Sequence, residues 1–258
     1  ALFGEMAQTR VPVYASRFER EQPVEESVKR LERSLALYGG GVTAVKLKIG
    51  GRMSRDADAF PGRTEAYVAA VRKLLGDDWT IYVDANGSYG AAKGIEVGHM
   101  LQEYGVAMYE EPSPFEDYES TRQVTAGVDL PVSGGEQDWS RWAWERMVRE
   151  RIVDILQPDF ENNGGFIRAL KVAALAEMAG MPVTPHSPIE GPASAIKAQF
   201  ASLVPNAGVY QEHRARKPVG DWYAPQFTVD ERGTIPVPDG PGWGIAYDPS
   251  LLVRAKTL

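Results

Sequence analysis

Hydrophobic and polar positions follow two alternating periods along this chain. Short apolar, β-branched runs recur as VPVYAS, GVTAVKLKIG, WTIYVDANGS, GVAMYEEP, LPVSGGEQ, VDILQPDF, MPVTPHSP and GVYQEH. Between them lie longer segments, among them PVEESVKRLERSLALYGG, RTEAYVAAVRKLLG, AAKGIEVGHMLQEYG and FIRALKVAALAEMAG, with apolar residues at helical spacing. Several close on glycine just past the last apolar position, where helices usually stop. Strand–helix repeats without hairpin turns predict parallel strands joined by helices. Eight such strands in 258 residues predict an α/β fold of the (β/α)8 TIM-barrel type. An open doubly wound sheet is the alternative, but no G-x-G-x-x-G follows the first strand, so its dinucleotide-binding form has little support. The last stretch, from about Arg214, is rich in Pro and Gly and reads as a loop-dominated tail of one domain covering 1–258.

Composition narrows the function classes. The chain is 43% hydrophobic and 24% charged, ordinary for a globular protein. Its net charge of −7 comes without blocks of like charge, so no nucleic-acid partner is expected. There is no cysteine, which removes disulfides, thiolate nucleophiles and zinc–thiolate sites. No run approaches the roughly 18 apolar residues that span a membrane, and the N-terminus lacks a signal-peptide pattern. A cytoplasmic protein with no membrane partner is the expectation.

The candidate chemistry sits at the strand ends. Asp84, Glu110 and Glu136 are 26 residues apart, and Asp159, His186 and Glu212 follow after steps of 23, 27 and 26. Each step is about one strand–helix unit. In a barrel the C-terminal strand ends converge on one face, where active sites lie. A single strand-end carboxylate is as well explained as a helix cap; six consecutive polar strand ends are not. Three converging carboxylates repel one another, and a divalent cation relieves that conflict. An all-oxygen set favours Mg²⁺, with Mn²⁺ as the second choice. Of the adjacent Glu110 and Glu111, Glu110 is in phase with the ring. Glu111 is expected to face away, or to sit in the turn before Pro112 as a salt-bridge or capping partner.

Lys46 and Lys48 share one face of the second strand, amid Val42, Val45, Leu47 and Ile49. Two close ammonium groups disfavour each other's charge and are expected to lower at least one of the two pKa values toward a useful base. On the far side, Asp159 can hold the tautomer of His186 one unit later. The other histidines read as structural: His99 lies mid-helix, and His213 directly follows Glu212. Gly164 and Gly165 of ENNGGF precede a helix and raise a weak phosphate-site reading. In DWSRWAWERMVRE, Trp142 or Trp144 is expected to pack on the barrel, with Trp139 a lesser candidate for the pocket wall.

Together, K-x-K (Lys46, Lys48), DANGS (Asp84), EEP (Glu110), GGE (Glu136), PD (Asp159), PHS (His186) and QEH (Glu212) resemble the enolase superfamily, specifically its mandelate racemase subgroup. The resemblance runs from about Val11 to the end. It implies a Mg²⁺ site at Asp84, Glu110 and Glu136, with Lys48 as general base and Lys46 tuning it and contacting the substrate carboxylate. It implies His186–Asp159 as acid/base on the opposite face, Glu212 as the group that hydrogen-bonds the developing enolate, and Asn86 as a substrate contact. The implied activity is a lyase that dehydrates acid sugars; racemase, epimerase or cycloisomerase chemistry is the alternative, and a non-catalytic metal-binding barrel a lesser one. A small-molecule carboxylate substrate and a homo-oligomer are expected. Family members also carry an N-terminal capping domain. Only about ten residues precede the first strand here, so that domain is expected to be absent from this chain or supplied elsewhere.

Overall fold

The computed structural model describes residues 4–5, 7–16, 19–188, 190–215, 222–250 and 253. Strands and helices alternate through β1 (Arg10–Ser16), α1 (Val24–Leu35), β2 (Ala44–Lys48), α2 (Arg63–Leu75), β3 (Thr80–Asp84), α3 (Ala91–Glu103), β4 (Met108–Glu110) and α4 (Tyr118–Gly127). There follow β5 (Val132–Gly134), α5 (Arg141–Arg149), β6 (Ile155–Leu156), α6 (Phe166–Met178), α7 (Ser194–Leu203) and β7 (Gln211–His213). β1 to β6 pair in parallel in chain order, and β7 returns to pair with β1, as a barrel requires. The expected barrel is therefore present.

The seventh expected strand, MPVTPHSP, is reduced to one bridging residue, Val183, which pairs with Leu156 on one side and Ala207 on the other. Pro182 and Pro185 lack the N–H groups that a longer ladder needs. The ring still closes, because Val183 N donates to Asn206 O at 2.9 Å and Gly208 N to Val183 O at 2.9 Å. The tail contains more strand than its composition predicted. β8 (Tyr223–Ala224) and β10 (Ala246–Tyr247) form a small antiparallel pair, and β9 (Thr234–Pro236) adds antiparallel to the start of β1. No helix among the described residues is long and apolar enough to cross a membrane.

Register decides what points inward. Lys46, Tyr82 and Met108 lie abreast on β2, β3 and β4; two residues on, Lys48, Asp84 and Glu110 lie abreast in the same phase. The intervening Leu47, Val83 and Tyr109 are buried against the helices. The helices turn one stripe to the barrel: in α6 it is Phe166, Ala169, Val172, Ala173 and Ala176. Burying each larger side chain of this kind stabilises the fold by roughly 1.5–3 kcal/mol.

Two features tie packing to the barrel mouth. Gly135, just beyond β5, has φ +110, and a Cβ there would lie 2.7 Å from the Trp144 ring. Trp144 is buried and donates from Nε1 to Asn163 Oδ1 at 2.9 Å, whereas Trp142 is 74% exposed. At the end of β7, the Tyr38 hydroxyl donates to His213 O at 2.8 Å and accepts from Ala215 N at 3.0 Å. The His213 imidazole is buried edge-on to Tyr38 and bonds to the Phe227 backbone. Burial, then the Lys197 charge, pushes its pKa down to about 3.

Gly135→Ala combines a left-handed backbone with a clash against Trp144, and is expected to destabilise the protein by about 2–4 kcal/mol in urea unfolding; an unchanged midpoint would refute the contact. His213 gives a pH test. An unfolded imidazole titrates near ~6.5, so below that pH the unfolded chain takes up a proton that the folded chain refuses down to about 3. The neutral ring's contribution is complete above pH ~6.5 and is lost as pH falls. His213→Gln is expected to flatten this acid limb, with wild type losing about 2 kcal/mol relative to the variant between pH 7 and 5. Parallel limbs in unfolding titrations would show that the site admits the proton.

Candidate active site

Asp84 and Glu110 close adjacent parallel strands side by side, and both are fully buried. Glu136 arrives differently. The residue level with Glu110 on β5 is Ser133, and Glu136 stands three positions further on. The Gly134–Gly135 turn brings it back over the mouth, so one carboxylate oxygen from each of Asp84, Glu110 and Glu136 lies within 4.8 Å of the others. Burial and then neighbouring carboxylates push Glu110 up to about 8, with Asp84 the largest repulsive neighbour. Glu136 is pushed up to about 7 by burial and Glu111. Burial also works against ionised Asp84, but Lys48 and Lys46 outweigh it and hold that carboxyl below its usual range. Glu136 Oε2 is buried and accepts no hydrogen bond among the described residues, with His186 Nε2 its nearest cationic group at 3.3 Å. An all-oxygen donor set with mutual repulsion and an oxygen that accepts no hydrogen bond fits a hard divalent cation.

The two lysines divide these carboxylates between them. Lys46 Nζ donates to Glu110 at 2.9 and 2.7 Å, lies 3.5 Å from Glu212 and 3.9 Å from Asp84, and stands over the Tyr14 ring at 5.6 Å. Burial opposes its charge, yet Glu110 and Glu212 raise its pKa well above the ordinary value. The expected lowering therefore does not fall on Lys46, whose charge Glu110 and Glu212 hold in place. Lys48 Nζ bonds to Asp84 Oδ2, and to Asn86 Oδ1 at 2.6 Å. Asn86 adopts φ +42 just past β3, and its N–H donates to Asp84 Oδ1 at 2.8 Å.

Glu111 requires a correction. It sits in the turn, but it does not face away from the ring. With φ +41 it leaves the strand alternation and stays buried, and its carboxylate accepts from Asn86 Nδ2 at 3.3 Å and Gln137 Nε2 at 3.4 Å. Burial, then the charges of Asp84 and Glu110, push it up to about 7. It is a fourth carboxyl beside the triad and, among the described residues, neither a salt-bridge nor a helix-capping partner.

Opposite stands the imidazole. His186 Nδ1 is 2.8 Å from Asp159 Oδ2, so the nitrogen carries the hydrogen and the carboxylate accepts it. Asp159 Oδ1 accepts from the N–H groups of Glu161 and Asn162 at 2.7 and 2.8 Å. Nε2 then faces the site, 3.3 Å from Glu136 and 3.9 Å from Glu212. Burial works against the imidazolium, but the Asp159 hydrogen bond with the Glu136 and Glu212 charges raises its pKa to about 9. Glu212 accepts from Ser16 Oγ at 2.6 Å and Ser187 N at 3.0 Å. Burial favours its neutral form, yet Lys46 and His186 hold it well below the usual carboxylate range. To hydrogen-bond a developing enolate, as the resemblance implies, Glu212 would have to carry a proton, and that is not the form its surroundings favour.

Several contributors carry no clear sequence signal. Buried Gln157 donates from Nε2 to Glu110 Oε2 at 2.9 Å; its position two before Asp159 is the one clue. Lys197 is fully buried in α7 and donates to Ser187 O at 2.6 Å and Glu212 O at 2.7 Å, bracing the loop after His186 against β7. Within ENNGGF, two N–H groups are taken by Asp159, and Asn162 Nδ2 braces Glu136 O at 3.2 Å. That loop supports the site and offers no phosphate cradle. Trp139 is 63% exposed, and His99 bonds to Gly127 O at 2.9 Å on the barrel's outside.

Comparison with known proteins places the chain in a family. The family described as "Enolase C-terminal domain-like" matches residues 26–251. D-galactarolactone cycloisomerase of Agrobacterium fabrum is 30% identical over 84% of this chain and 57% of its own length. Arabinonate dehydratase of Saccharolobus solfataricus is 28% identical over 79% of this chain and 52% of its own. Among solved structures, a racemase from Streptomyces coelicolor with bound magnesium superposes with a TM-score of 0.80 at 28% identity, over 98% of this chain and 65% of that one. The chain thus spans little more than half the length of the two curated relatives. With its barrel, its carboxylate triad and a family match across most of its length, the chain belongs to the enolase superfamily, among the proteins that resemble mandelate racemase and muconate lactonizing enzyme.

Proposed function

We propose that this chain carries the catalytic barrel of a Mg²⁺-dependent acid-sugar dehydratase. One observation carries the reading: a single carboxylate triad has Lys48 at its Asp84 end and an Asp159-anchored His186 at its Glu136 end. Asp84, Glu110 and Glu136 would hold the cation, which when bound would supply positive charge to the oxygens of the substrate carboxylate. Lys46, fixed by Glu110 and Glu212, adds a second positive charge there. Lys48 takes the proton from the α-carbon. The electron pair left behind expels the β-hydroxyl, to which His186 Nε2 gives a proton, so water leaves and an enol remains that tautomerises to the 2-keto acid. Asn86 contacts the substrate, and Glu212 keeps Lys46 and His186 charged and in place.

The same two groups also serve a racemase, epimerase or cycloisomerase, since His186 can return a proton to the opposite face of the α-carbon. The cycloisomerase among the relatives favours this second reading. Both are tested by incubating the full-length protein with Mg²⁺ and an acid-sugar library in heavy water. Keto-acid formation is the expected result; deuterium at the α-carbon without keto acid would move the assignment to the isomerases. Lys48→Ala and His186→Asn are each expected to lower kcat by about 10²–10⁴-fold; unchanged turnover in both would remove these two residues from the chemistry, and no turnover of any acid by the wild type would favour a non-catalytic barrel.

The ligand assignment has its own test. Glu110→Gln is expected to weaken Mg²⁺ binding at least about 100-fold in calorimetric titration, because an inner ligand exceeds the effect of its supporting partners. Glu111→Gln should weaken it less; the reverse order would exchange the two roles.

A further inference from the structure

Arg20 stands in the segment between β1 and α1 and has no part in the chemistry described so far. Its Nε donates to Ile49 O at 3.0 Å, and its Nη2 donates to Asn86 Oδ1 at 2.5 Å. That oxygen is the one that already accepts Lys48 Nζ. Two cations therefore converge on a single neutral amide oxygen. Among the described residues Arg20 has no ion-pair partner, although Arg52 one segment away pairs with Glu21. The segment is held in place from below. Buried Arg63 donates from Nε to Gln22 O at 2.8 Å, and from Nη2 to Glu19 O at 3.4 Å and Ser27 Oγ at 3.0 Å. Arg63 has no ion-pair partner among the described residues either, and its Nη1 is buried without a hydrogen bond. The mouth is thus divided: Asp84, Glu110, Glu111 and Glu136 crowd the β3–β5 side, and Lys48 and Arg20 stand toward β1 and β2.

We propose that Arg20 receives a second carboxylate of the substrate, which makes sugar diacids (aldarates) the preferred substrate class over monocarboxylic aldonates. The inference rests on the α-proton chemistry proposed above. In that chemistry the reacting carboxylate is held at the triad and Lys46, with its α-carbon at Lys48. A guanidinium one amide oxygen beyond Lys48 addresses groups further along the substrate chain. Hydroxyl groups there are neutral and could be served by Asn86. A carboxylate supplies both the missing charge and two oxygens matched to the guanidinium fork.

The test compares a six-carbon aldarate with the aldonate of the same configuration, using the full-length protein with Mg²⁺. For wild type, Arg20→Met and Arg20→Lys, both kcat/KM and the dissociation constant are measured. Wild type is expected to prefer the diacid. Arg20→Met is expected to lower the diacid-to-monoacid ratio by about 100-fold, as loss of a charge-assisted hydrogen bond does, and Arg20→Lys to restore part of it. An equal loss on both acids would show that Arg20 acts only by holding Asn86, and overturns the proposal, as does a wild type without preference. If neither acid is turned over, the dehydratase reading fails while the dissociation constants still decide about Arg20. Tighter diacid binding that Arg20→Met abolishes supports it, and equal binding of the two acids refutes it.

Discussion

A buried ammonium needs counter-charge, and much of the barrel mouth is arranged around that of Lys46. It lies inside the barrel between Glu110 at 2.7 Å, Glu212 at 3.5 Å and Asp84 at 3.9 Å. Those three carboxylates come from β3, β4 and β7, so the charge can be satisfied only if strands from both sides of β2 are in register. Removing one member of such a buried set leaves an uncompensated charge, at a cost of about 3–5 kcal/mol. The same pairing leaves more carboxylate than ammonium at the mouth. Glu110, Glu111 and Glu136 are all pushed up toward neutrality by burial and by one another, and that surplus suits a site for a dication.

The fold was legible because the two hydrophobic periods do not overlap. Runs such as AVKLK and TIYVD could only be buried strands, and the α6 stripe of Phe166, Ala169, Val172 and Ala176 could only be a helix face. Legibility failed where backbone chemistry overrides side-chain pattern. MPVTPHSP has the apolar content of a strand, yet its prolines leave Val183 alone to bridge the gap. β9 was hidden for the opposite reason: TIP is too short to show a period, and only its partner Arg10–Pro12 makes it a strand.

Lys46, Lys48, Asp84 and Glu110 were equally readable, because a period of two places them on one face of β2, β3 and β4. What the sequence could not display is contact between side chains from distant segments. Ser16 and Ser187 grip Glu212, and Lys197 bonds two backbone carbonyls; each looks ordinary in its own segment. The 26-residue step to Glu136 was informative for a reason other than register. Its strand ends at Gly134, level with Leu156 of β6, and the carboxylate returns to the triad through a glycine turn pressed against Trp144. Spacing marks the length of the strand–helix unit; the turn supplies the last few ångströms.

The pair Glu110–Glu111 shows how far one backbone angle reaches. Alternation holds only while the chain is extended, and Glu111 at φ +41 has left that region, so both carboxyls end at the same mouth. A carboxylate accepts and does not donate when ionised, so Glu111 turns the NH₂ of Asn86 toward itself. The amide oxygen must then point the other way, toward Lys48 and Arg20. The orientation of the group that holds Lys48 is thereby set from the neighbouring strand. A second glutamate that the alternation rule would turn away from the site instead determines which groups the first one's neighbours can present to a substrate.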